Sequence, residues 1–301
     1  MYINHNQMAT NVANTLTSHY GNLQTSTQRL SSGLRVNSAA DDAAGLAIRE
    51  LMRADIAALN QGVRNANDAI SLIQTADGAL GVIDEKLIRM KELAEQAATG
   101  TYGSDQRLMI ESEYQQMASE ITRIANATDF NGIHLLNGNL SAEADKTAAE
   151  SHDGSGLNAK GPMKIHFGTE NDSAEDYYYI EIGDCRASAL GVGNAATAGS
   201  AGYTVSTQQA AQEALVGINN AIKSKDNIRA HLGALQNRLE NTITNLTTQS
   251  ENLQAAESRI SDVDVATEMT QFVRNQILTQ SAVAMLSQAN SMQQMAMQLI
   301  G

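Results

Sequence analysis

An apolar residue recurs at every seventh position in residues 52–97, MRADIAALNQGVRNANDAISLIQTADGALGVIDEKLIRMKELAEQA. This first series is Met52, Leu59, Ala66, Ile73, Leu80, Leu87 and Ala94. A second series is interleaved with it and slips by one position where Asp77 falls in register: Ile56, Val63, Ile70, Ile83, Met90 and Ala97. Such a heptad repeat predicts a long helix with a narrow apolar seam against partner helices.

The helix predicted from this repeat spans residues 44–99, and no proline interrupts it. At ~1.5 Å per residue it would be on the order of 80 Å long, which indicates a rod rather than a compact domain. The alternative is two ordinary helices that are separated near Gly78 and Gly81. Ser38 and Asp41 form a predicted capping box just before the helix.

Composition favours a helical bundle. The 301 residues include no Trp, 3 Phe and 1 Pro, fewer large aromatic residues than a globular enzyme of this length usually carries. The net charge of −13 argues against nucleic acid or an anionic membrane as the partner. The single cysteine excludes an intramolecular disulfide framework. We see neither a signal-peptide pattern nor an apolar stretch of transmembrane length, although export by a signal-independent route leaves no such mark.

Two further segments supply partners for the long helix. Residues 105–128 repeat the apolar seam, and a short connection makes them an antiparallel neighbour. A helix that opens at a predicted capping box of Ser206 and Gln209 carries a second strong heptad series. That series is Leu232, Leu239, Leu246, Leu253 and Ile260, with Ile228 and Leu235 interleaved. Residues 44–140 and 206–257 are therefore predicted to form an antiparallel coiled-coil or helical-bundle rod.

The middle of the chain, residues 141–205, has a different pattern. The segments MKIHF (163–167) and YYYIEI (177–182) each alternate apolar and polar residues, which predicts a β-hairpin. Before them, FNGIHLLNG (130–138) contains two Asn-Gly turn signals. The rest of the middle is rich in Ala, Gly, Ser and acidic residues, so residues 141–205 are predicted to be the hairpin and outward-facing loops.

Both ends of the chain are amphipathic but uncharged, since residues 1–28 and 275–301 contain no Asp, Glu, Lys or Arg. The apolar positions singled out are Met8, Val12, Leu16, Leu23 and Leu30 at the first end, and Val273, Ile277, Met285, Met292 and Leu299 at the second. Uncharged polar faces suit surfaces that become buried in an assembly, because a buried charge is costly. Residues 1–43 and 258–301 are predicted to be paired terminal helices at one end of the rod. The alternative is two tails that become ordered only on assembly.

Other classes of function find little support. The six histidines are scattered, and neither an HExxH motif, a nucleophile motif nor a phosphate-binding glycine loop is present. The prediction is therefore a non-enzyme without a cofactor or a metal site. A membrane-active helix is disfavoured because the terminal helices lack the Lys and Arg that such helices use.

The two ends of the chain resemble bacterial flagellin. The N-terminal matches are LSSGLRVNSAADDAAG (30–45), VRNANDAIS (63–71), IRMKELAEQA (88–97) and FNGIHLLNG (130–138). The C-terminal matches are HLGALQNRLENTITNL (231–246), SRISDVDVATEMTQF (258–272) and ILTQSAVAMLSQAN (277–290). The resemblance covers residues 1–140 and 206–301, and the short middle implies that the large outer domains of some flagellins are missing.

This resemblance implies a structural subunit of the filament. Flagellins are exported through the flagellar type III apparatus and polymerise under a cap protein into an extracellular helical filament. The implied partners are further copies of the chain, an export chaperone, the cap protein and the hook-junction protein, with no nucleic acid and no membrane insertion. The alternative within the same system is the hook–filament junction protein, which shares the flagellin ends.

The resemblance also implies contacts for an innate immune receptor, Toll-like receptor 5, which recognises many flagellins. The positions that match the family's receptor contacts are Arg89, Leu93, Glu113, Ile218 and Ile222. This chain departs from the family pattern with Lys91, where Arg is typical, and with Glu95, where an apolar residue is typical. The alternative is that these positions serve packing between subunits.

Overall fold

The computed structural model describes residues 6–141, 161–172, 175–193 and 202–300, apart from the side chains at 296, 297, 299 and 300. The helices are α1 (Gln7–Ser32), α2 (Ala43–Ala98), α3 (Ser104–Ala127), α4 (Ala187–Leu190), α5 (Gln208–Ser261) and α6 (Val265–Ile300). The strands β1 (Asp129–Phe130) and β2 (Ile133–His134) form one antiparallel pair, and β3 (Met163–His166) and β4 (Tyr177–Ile180) form another. The prediction of a mainly α fold with a small β-hairpin is confirmed.

The chain divides into two compact units. Unit 1 comprises Met1–Ala57 and Ser250–Gly301, and unit 2 comprises Ala58–Gln249. The boundaries expected from the sequence were residues 43 and 258, so unit 1 also includes the first turns of α2 and the last turns of α5.

Helix α2 runs without a break, so the prediction of one long helix is confirmed and the alternative of two helices is wrong. Gly78 and Gly81 lie inside α2, where neither would meet another atom if it carried a Cβ. A helical glycine costs only about 1 kcal/mol relative to alanine, which the flanking seam readily offsets.

Burial along α2 confirms most of the heptad pattern. Of the first series, all members from Leu59 to Ala94 are buried and Met52 is half-buried. In the second series, the buried positions in the middle of the helix are Ala69 and Ala76 rather than Ile70 and Asp77. Alanine side chains are small and let a partner helix approach closely. In this part of α2 the seam therefore runs through Ala69 and Ala76, each one residue before the position that the sequence pattern predicted.

The predicted capping boxes are displaced toward the helices that they precede. The N-cap of α2 is Asp42, whose Oδ1 accepts a hydrogen bond of 2.9 Å from Gly45 N, and not Ser38. At the start of α5, Thr207 Oγ1 accepts a hydrogen bond of 3.2 Å from the backbone N–H three residues on, whereas Ser206 lies before the cap. Both stretches hold several residues able to cap, and the helix begins after the last of them.

Helices α3 and α5 bring matching seams to α2 within unit 2. Arg107 Nε donates to Ala97 O, and Arg89 pairs with Glu113, so α3 is antiparallel to α2. The buried side chains of α3 are Ile110, Tyr114, Ala118, Ile121 and Ala125, and those of α5 include Ala214, Ile218, Leu232, Leu235, Leu239 and Leu246. Each buried Leu or Ile contributes about 1.5–3 kcal/mol relative to an exposed one, so these seams supply most of the stability of unit 2.

Ion pairs join α2 and α5 at the edge of this core. Arg229 Nε lies 2.7 Å from Asp77 Oδ1. Lys225 Nζ lies 2.5 Å from Asp84 Oδ1 and 2.6 Å from Asp226 Oδ1, and its side chain is only 2% exposed. Asp77 and Asp84 are seven residues apart, so the position where the apolar pattern slipped carries a register-fixing ion pair instead of an apolar contact.

The two hairpins follow their sequence signals. Asn131 and Gly132 both adopt positive φ, 52° and 80°, as a two-residue turn of type I′ requires between β1 and β2. In the second hairpin, Met163 pairs with Ile180, and Ile165 pairs with Tyr178, which places these apolar side chains on one face. The predicted alternation is therefore confirmed.

Part of the segment 141–205 lies in the core of unit 2. Ile182, Cys185, Ala187, Leu190 and Val192 are all buried, although the sequence suggested loops that face outward. Backbone hydrogen bonds hold this stretch, including Ile182 N to Leu140 O at 3.1 Å. Burial, and then the charge of neighbouring Asp184, raise the pKa of the Cys185 thiol to about 12, so the thiol stays protonated and unreactive.

The ion pair of Lys225 with Asp84 predicts that removing the acid lowers the free energy of unfolding more than removing the base. Replacing Asp84 by Asn strips a carboxylate from a buried ammonium group and should lower the free energy of unfolding by roughly 1–3 kcal/mol. Lys225→Met should cost less, because it leaves carboxylates that are 29% and 59% exposed and can be hydrated. Urea unfolding of both variants tests this, and a larger loss for Lys225→Met would contradict it.

The same pair gives a dependence on pH. Burial is the largest single influence on the pKa of Lys225 and opposes its charge, but the hydrogen bonds to Asp226 and Asp84 outweigh it and raise the pKa above its usual 10.5. A raised pKa contributes stability that is complete below about pH 10.5 and is lost as pH rises through the folded value. The Lys225→Met variant should lack this alkaline loss.

Candidate assembly surfaces on the terminal helices

Helices α1 and α6 lie against each other in unit 1. Asn6 Nδ2, next to the start of α1, donates to Ala289 O at 3.2 Å. Near the end of α1, Arg29 Nη1 lies 3.8 Å from Glu268 Oε2. The start of α1 thus contacts a late part of α6, and the end of α1 contacts the start of α6. The two helices are therefore antiparallel. The predicted pairing of the terminal helices is confirmed.

Backbone hydrogen bonds fix the point where α1 ends and α6 begins. Arg35 N donates to Ser261 O at 2.6 Å, and Val263 N donates to Gly33 O at 3.0 Å. Gly33 ends α1 with a φ of 72°, a left-handed conformation that favours glycine. The antiparallel pair is therefore anchored by its backbone at this end.

The contact between α1 and α6 buries mainly small side chains. Ser26 on α1 and Thr279, Ala282 and Ala289 on α6 are all more than nine-tenths buried. The Thr279 hydroxyl donates to Asn275 O at 2.7 Å, so its burial leaves no unpaired donor. Because these side chains carry little apolar area, the two helices come close but gain only modest hydrophobic stabilisation from each other.

The apolar residues predicted on α1 lie at the margin of this contact. Val12, Leu16, Leu23 and Leu30 are half-buried, and Met8 is 56% exposed. The apolar face of α1 is thus only partly used within one copy of the chain.

The apolar residues predicted on α6 are on its free side. Val273, Ile277, Met285 and Met292 are 44%, 56%, 56% and 38% exposed, and the side chain of Leu299 lies outside the described residues. The same surface includes Val265, Met269, Leu278, Val283 and Met295, all at least 38% exposed. We call these nine residues the exposed α6 face. Since monomeric proteins rarely expose a large apolar patch, such a face marks an interaction site.

Val265, Leu278 and Val283 also belong to this face, although the helical pattern of the sequence does not identify them. Helix α6 is apolar on two sides, of which one packs on α1 and the other is free. A single-face helical pattern therefore finds only part of the surface. Counting apolar residues around the whole helix would have found the rest.

Charge is confined to one end of the helix pair. Arg29 Nη2 lies 3.8 Å from Asp41 Oδ1, in addition to its approach to Glu268. Hydrogen bonds from the backbone and hydroxyl of Ser38, followed by that of Asn37, lower the pKa of Asp41 below its usual value. Beyond Arg274 the helix carries no charge, so the exposed α6 face can be buried without removing an ion from water over most of its length.

Three polar atoms in this region are buried without a hydrogen-bond partner: His19 Nδ1, Arg29 Nε and Glu268 Oε1. Each such atom costs about 1–3 kcal/mol. Together with the small side chains of the contact, they show that the α1–α6 pair is far from an optimised core.

The positions that match the family's receptor contacts are only partly accessible in unit 2. Arg89 is exposed and donates to Glu113 Oε1 from both Nε and Nη2, at 3.0 and 2.7 Å. Leu93 and Ile218 are 2% and 0% exposed, and Ile222 is half-buried. A partner that approaches this surface would meet Arg89 and Glu113 first, while Leu93 and Ile218 pack in the core. Their receptor role stays a prediction.

Other kinds of site find no support among the described residues. No group of three or more His, Cys, Asp or Glu residues there could hold a metal ion. None of the helices described is long and apolar enough to cross a membrane. The exposed α6 face is therefore the main candidate for function in unit 1.

Two family models match the chain at its two ends. Residues 3–141 match the bacterial flagellin N-terminal helical region, and residues 215–300 match the bacterial flagellin C-terminal helical region. The chain belongs to the bacterial flagellin family. The interval between the matched regions, residues 142–214, is too short for the large outer domain of long flagellins.

Relatives match this flagellin along its full length. The flagellar filament 33 kDa core protein of Treponema phagedenis is 39% identical, with all of both chains covered. The flagellin of Bacillus subtilis is 40% identical, again with all of both chains covered. A solved structure of a provisionally named flagellar hook-associated protein from Vibrio parahaemolyticus covers 74% of this chain and 100% of its own, at 14% identity and a TM-score of 0.54. That last likeness shows the fold alone.

Because the terminal helices are in close contact, a larger side chain between them should weaken their pairing. Ala289→Leu should overpack the contact at a cost of about 1–3 kcal/mol and loosen α1 in the monomer. Ala284→Leu, the same change at an exposed position of α6, should have little effect. Amide hydrogen exchange of residues 7–32 measures the difference. Equal protection of α1 in the two variants would contradict the described contact.

Proposed function

We propose that this flagellin is the structural subunit that polymerises into the helical filament of the bacterial flagellum, which serves motility. The observation that carries the proposal is the exposed α6 face, an apolar and almost uncharged surface that a single copy leaves in water. The full-length similarity to a filament core protein and to a second flagellin supports the same role.

Assembly would bury the apolar residues of α6 that a single copy leaves exposed. The α1–α6 contact uses small side chains, so the large apolar residues of α6 remain for contacts with other copies. Burying them at about 25 cal/mol per Å² would supply a substantial driving force for polymerisation. Because the facing polar residues of α1 and α6 are amides and hydroxyls, they can pair with one another rather than demand ion pairs.

The other partners belong to the same proposal. The chain would leave the cell unfolded through the flagellar type III apparatus, reach the extracellular filament and be inserted under the cap protein, with the hook-junction protein at the base. An export chaperone would cover the exposed α6 face before assembly. The methionines of that face suit two successive partners, because their side chains adapt to differently shaped surfaces.

The hook–filament junction protein is the second candidate. The hook-associated protein of Vibrio parahaemolyticus shares the fold, so fold alone does not separate the two roles. The 39% and 40% identities to a filament core protein and to a flagellin, over whole chains, favour the filament subunit. Abundance in sheared filaments discriminates, since a junction protein would be a trace component.

The exposed α6 face predicts variants that fold but do not assemble. Ile277→Asn combined with Met285→Asn should abolish elongation of sheared filament seeds, because both residues would be buried between copies. The matched control places the same residue at exposed polar positions, Gln276→Asn and Ser287→Asn, and should elongate normally. Negative-stain electron microscopy measures the filaments, and circular dichroism checks that the monomers remain equally helical.

Truncation tests the same role on a larger scale. Removing residues 1–28 or 275–301 should leave a folded unit 2 that forms no filaments. Normal filaments from the double apolar variant or from either truncation would refute the proposal.

A further inference from the structure

Two surface features of unit 2 have no role in the assembly proposed for the terminal helices. One is a pocket between α2 and the two hairpins, which we call the hairpin pocket. The other is an apolar projection near the start of α3, formed by Leu108 and Met109. They differ in shape, one concave and one convex, and the described residues of a single copy cover neither of them.

The hairpin pocket is built from three elements and has a volume of about 350 Å³. Its apolar lining comes from Leu72 on α2, from Phe130 and Ile133 on the first hairpin, and from Met163 and Ile165 on β3. An apolar cavity of about 150 Å³ is large enough to bind a benzene molecule, so the hairpin pocket has room for more than one apolar side chain.

The projection on α3 includes the most exposed large apolar side chain among the described residues of unit 2. Met109 is 72% exposed and Leu108 is 57% exposed. Neighbouring Arg107 does not shield them, because its guanidinium donates to Ala97 O and Thr99 O at the end of α2. Two large apolar side chains therefore stand side by side in water.

The projection cannot fill the pocket of its own chain. The pocket takes its α2 residues from Asn65 to Leu72, whereas Arg107 holds the start of α3 beside Ala97. Along α2, Leu72 and Ala97 are therefore separated by about 37 Å, at ~1.5 Å per residue. Only a second copy can bring the two features together.

Charge complements shape at the two surfaces. Lys164, on the β3 wall of the pocket, makes no ion pair with a described carboxylate; its Nζ lies over the Tyr177 ring and 3.3 Å from Asn171 Oδ1. Asp105 lies one helical turn before Met109 on the same face of α3 and likewise has no described ion pair. Glu113, one turn after Met109, is already paired with Arg89. The acid at the projection and the base at the pocket, neither of which forms an ion pair within the described part of the chain, are thus complementary in charge.

We propose that Leu108 and Met109 of one flagellin insert into the hairpin pocket of a neighbouring copy, with Asp105 of the first beside Lys164 of the second. The proposal rests on the proposed function as a filament subunit. Such a contact joins different patches of two identical chains, and a heterologous contact that does not close on itself generates a helical filament.

A disulfide between copies tests the contact. The variant Met109→Cys with Met163→Cys, assembled on seeds and treated with a mild oxidant, should give a ladder of linked chains on a non-reducing gel. The soluble monomer should give none, and Met109→Cys alone should remain unlinked, because its thiol would face Met163 of the neighbouring copy rather than a second cysteine. A matched control, Val216→Cys with Met163→Cys, uses another exposed apolar residue of unit 2 and should give no ladder. Filaments without a ladder, or a ladder only from the control, would overturn the proposal.

A charge exchange gives a second test that a merely structural role would not pass. Asp105→Lys and Lys164→Asp should each slow elongation severalfold at low salt, and the double variant should recover most of the rate. Absence of recovery would overturn the proposed contact. Elongation by the unaltered chain is read in the same assay, and its failure would instead overturn the proposed function.

Discussion

A long helix can bury only a narrow stripe of its surface, and this limit governs the structure of the flagellin described here. Helix α2 extends over 56 residues, and its stripe repeats every seventh residue from Leu59 onward. Unit 2 exists because α3 and α5 present stripes with the same period. The remaining faces of these helices are polar, and the ion pairs of Asp77 and Asp84 with α5 set how the stripes align.

The terminal helices also bury only a narrow stripe of their surface, but the stripe consists mainly of small side chains. Their mutual contact buries Ser26, Thr279, Ala282 and Ala289, side chains too small to supply much hydrophobic stabilisation. The large apolar residues of α6 are left on the opposite side, and charge ends at Arg274. A surface of this kind is costly for a monomer and useful for a polymer. We therefore place the function of the chain in its surfaces.

The sequence predicted the parts of the fold that depend on periodicity. The seam of α2, the heptad of Leu232 and Leu239, and the pairing of Met163 with Ile180 all repeat at the period of their element, and no distant residue changes that. The helix starts were less accurate, because Ser38, Asp41 and Asp42 can all cap and only the surrounding fold selects Asp42. Burial of Ile182 and Cys185 depends on contacts with Leu136 and Leu140, which no local pattern reveals.

The candidate surface was predicted in part for a similar reason. Val273, Ile277, Met285 and Met292 were recognised because they share a helical face. Which face of α6 would meet α1 was not evident, since both sides are apolar and the apolar residues of α6 that are most deeply buried, Ala282 and Ala289, are both small. Small residues are weak sequence signals, although they allow the closest approach between helices.

Methionine accessibility shows whether the exposed α6 face is buried when the chain polymerises. Monomer and filament would be treated with a mild oxidant, and sulfoxide formation at Met269, Met285 and Met292 would be quantified by mass spectrometry. If the exposed α6 face is the assembly surface, these methionines should be oxidised rapidly in the monomer and strongly protected in the filament. Equal oxidation in monomer and filament would contradict the claim that this face drives polymerisation.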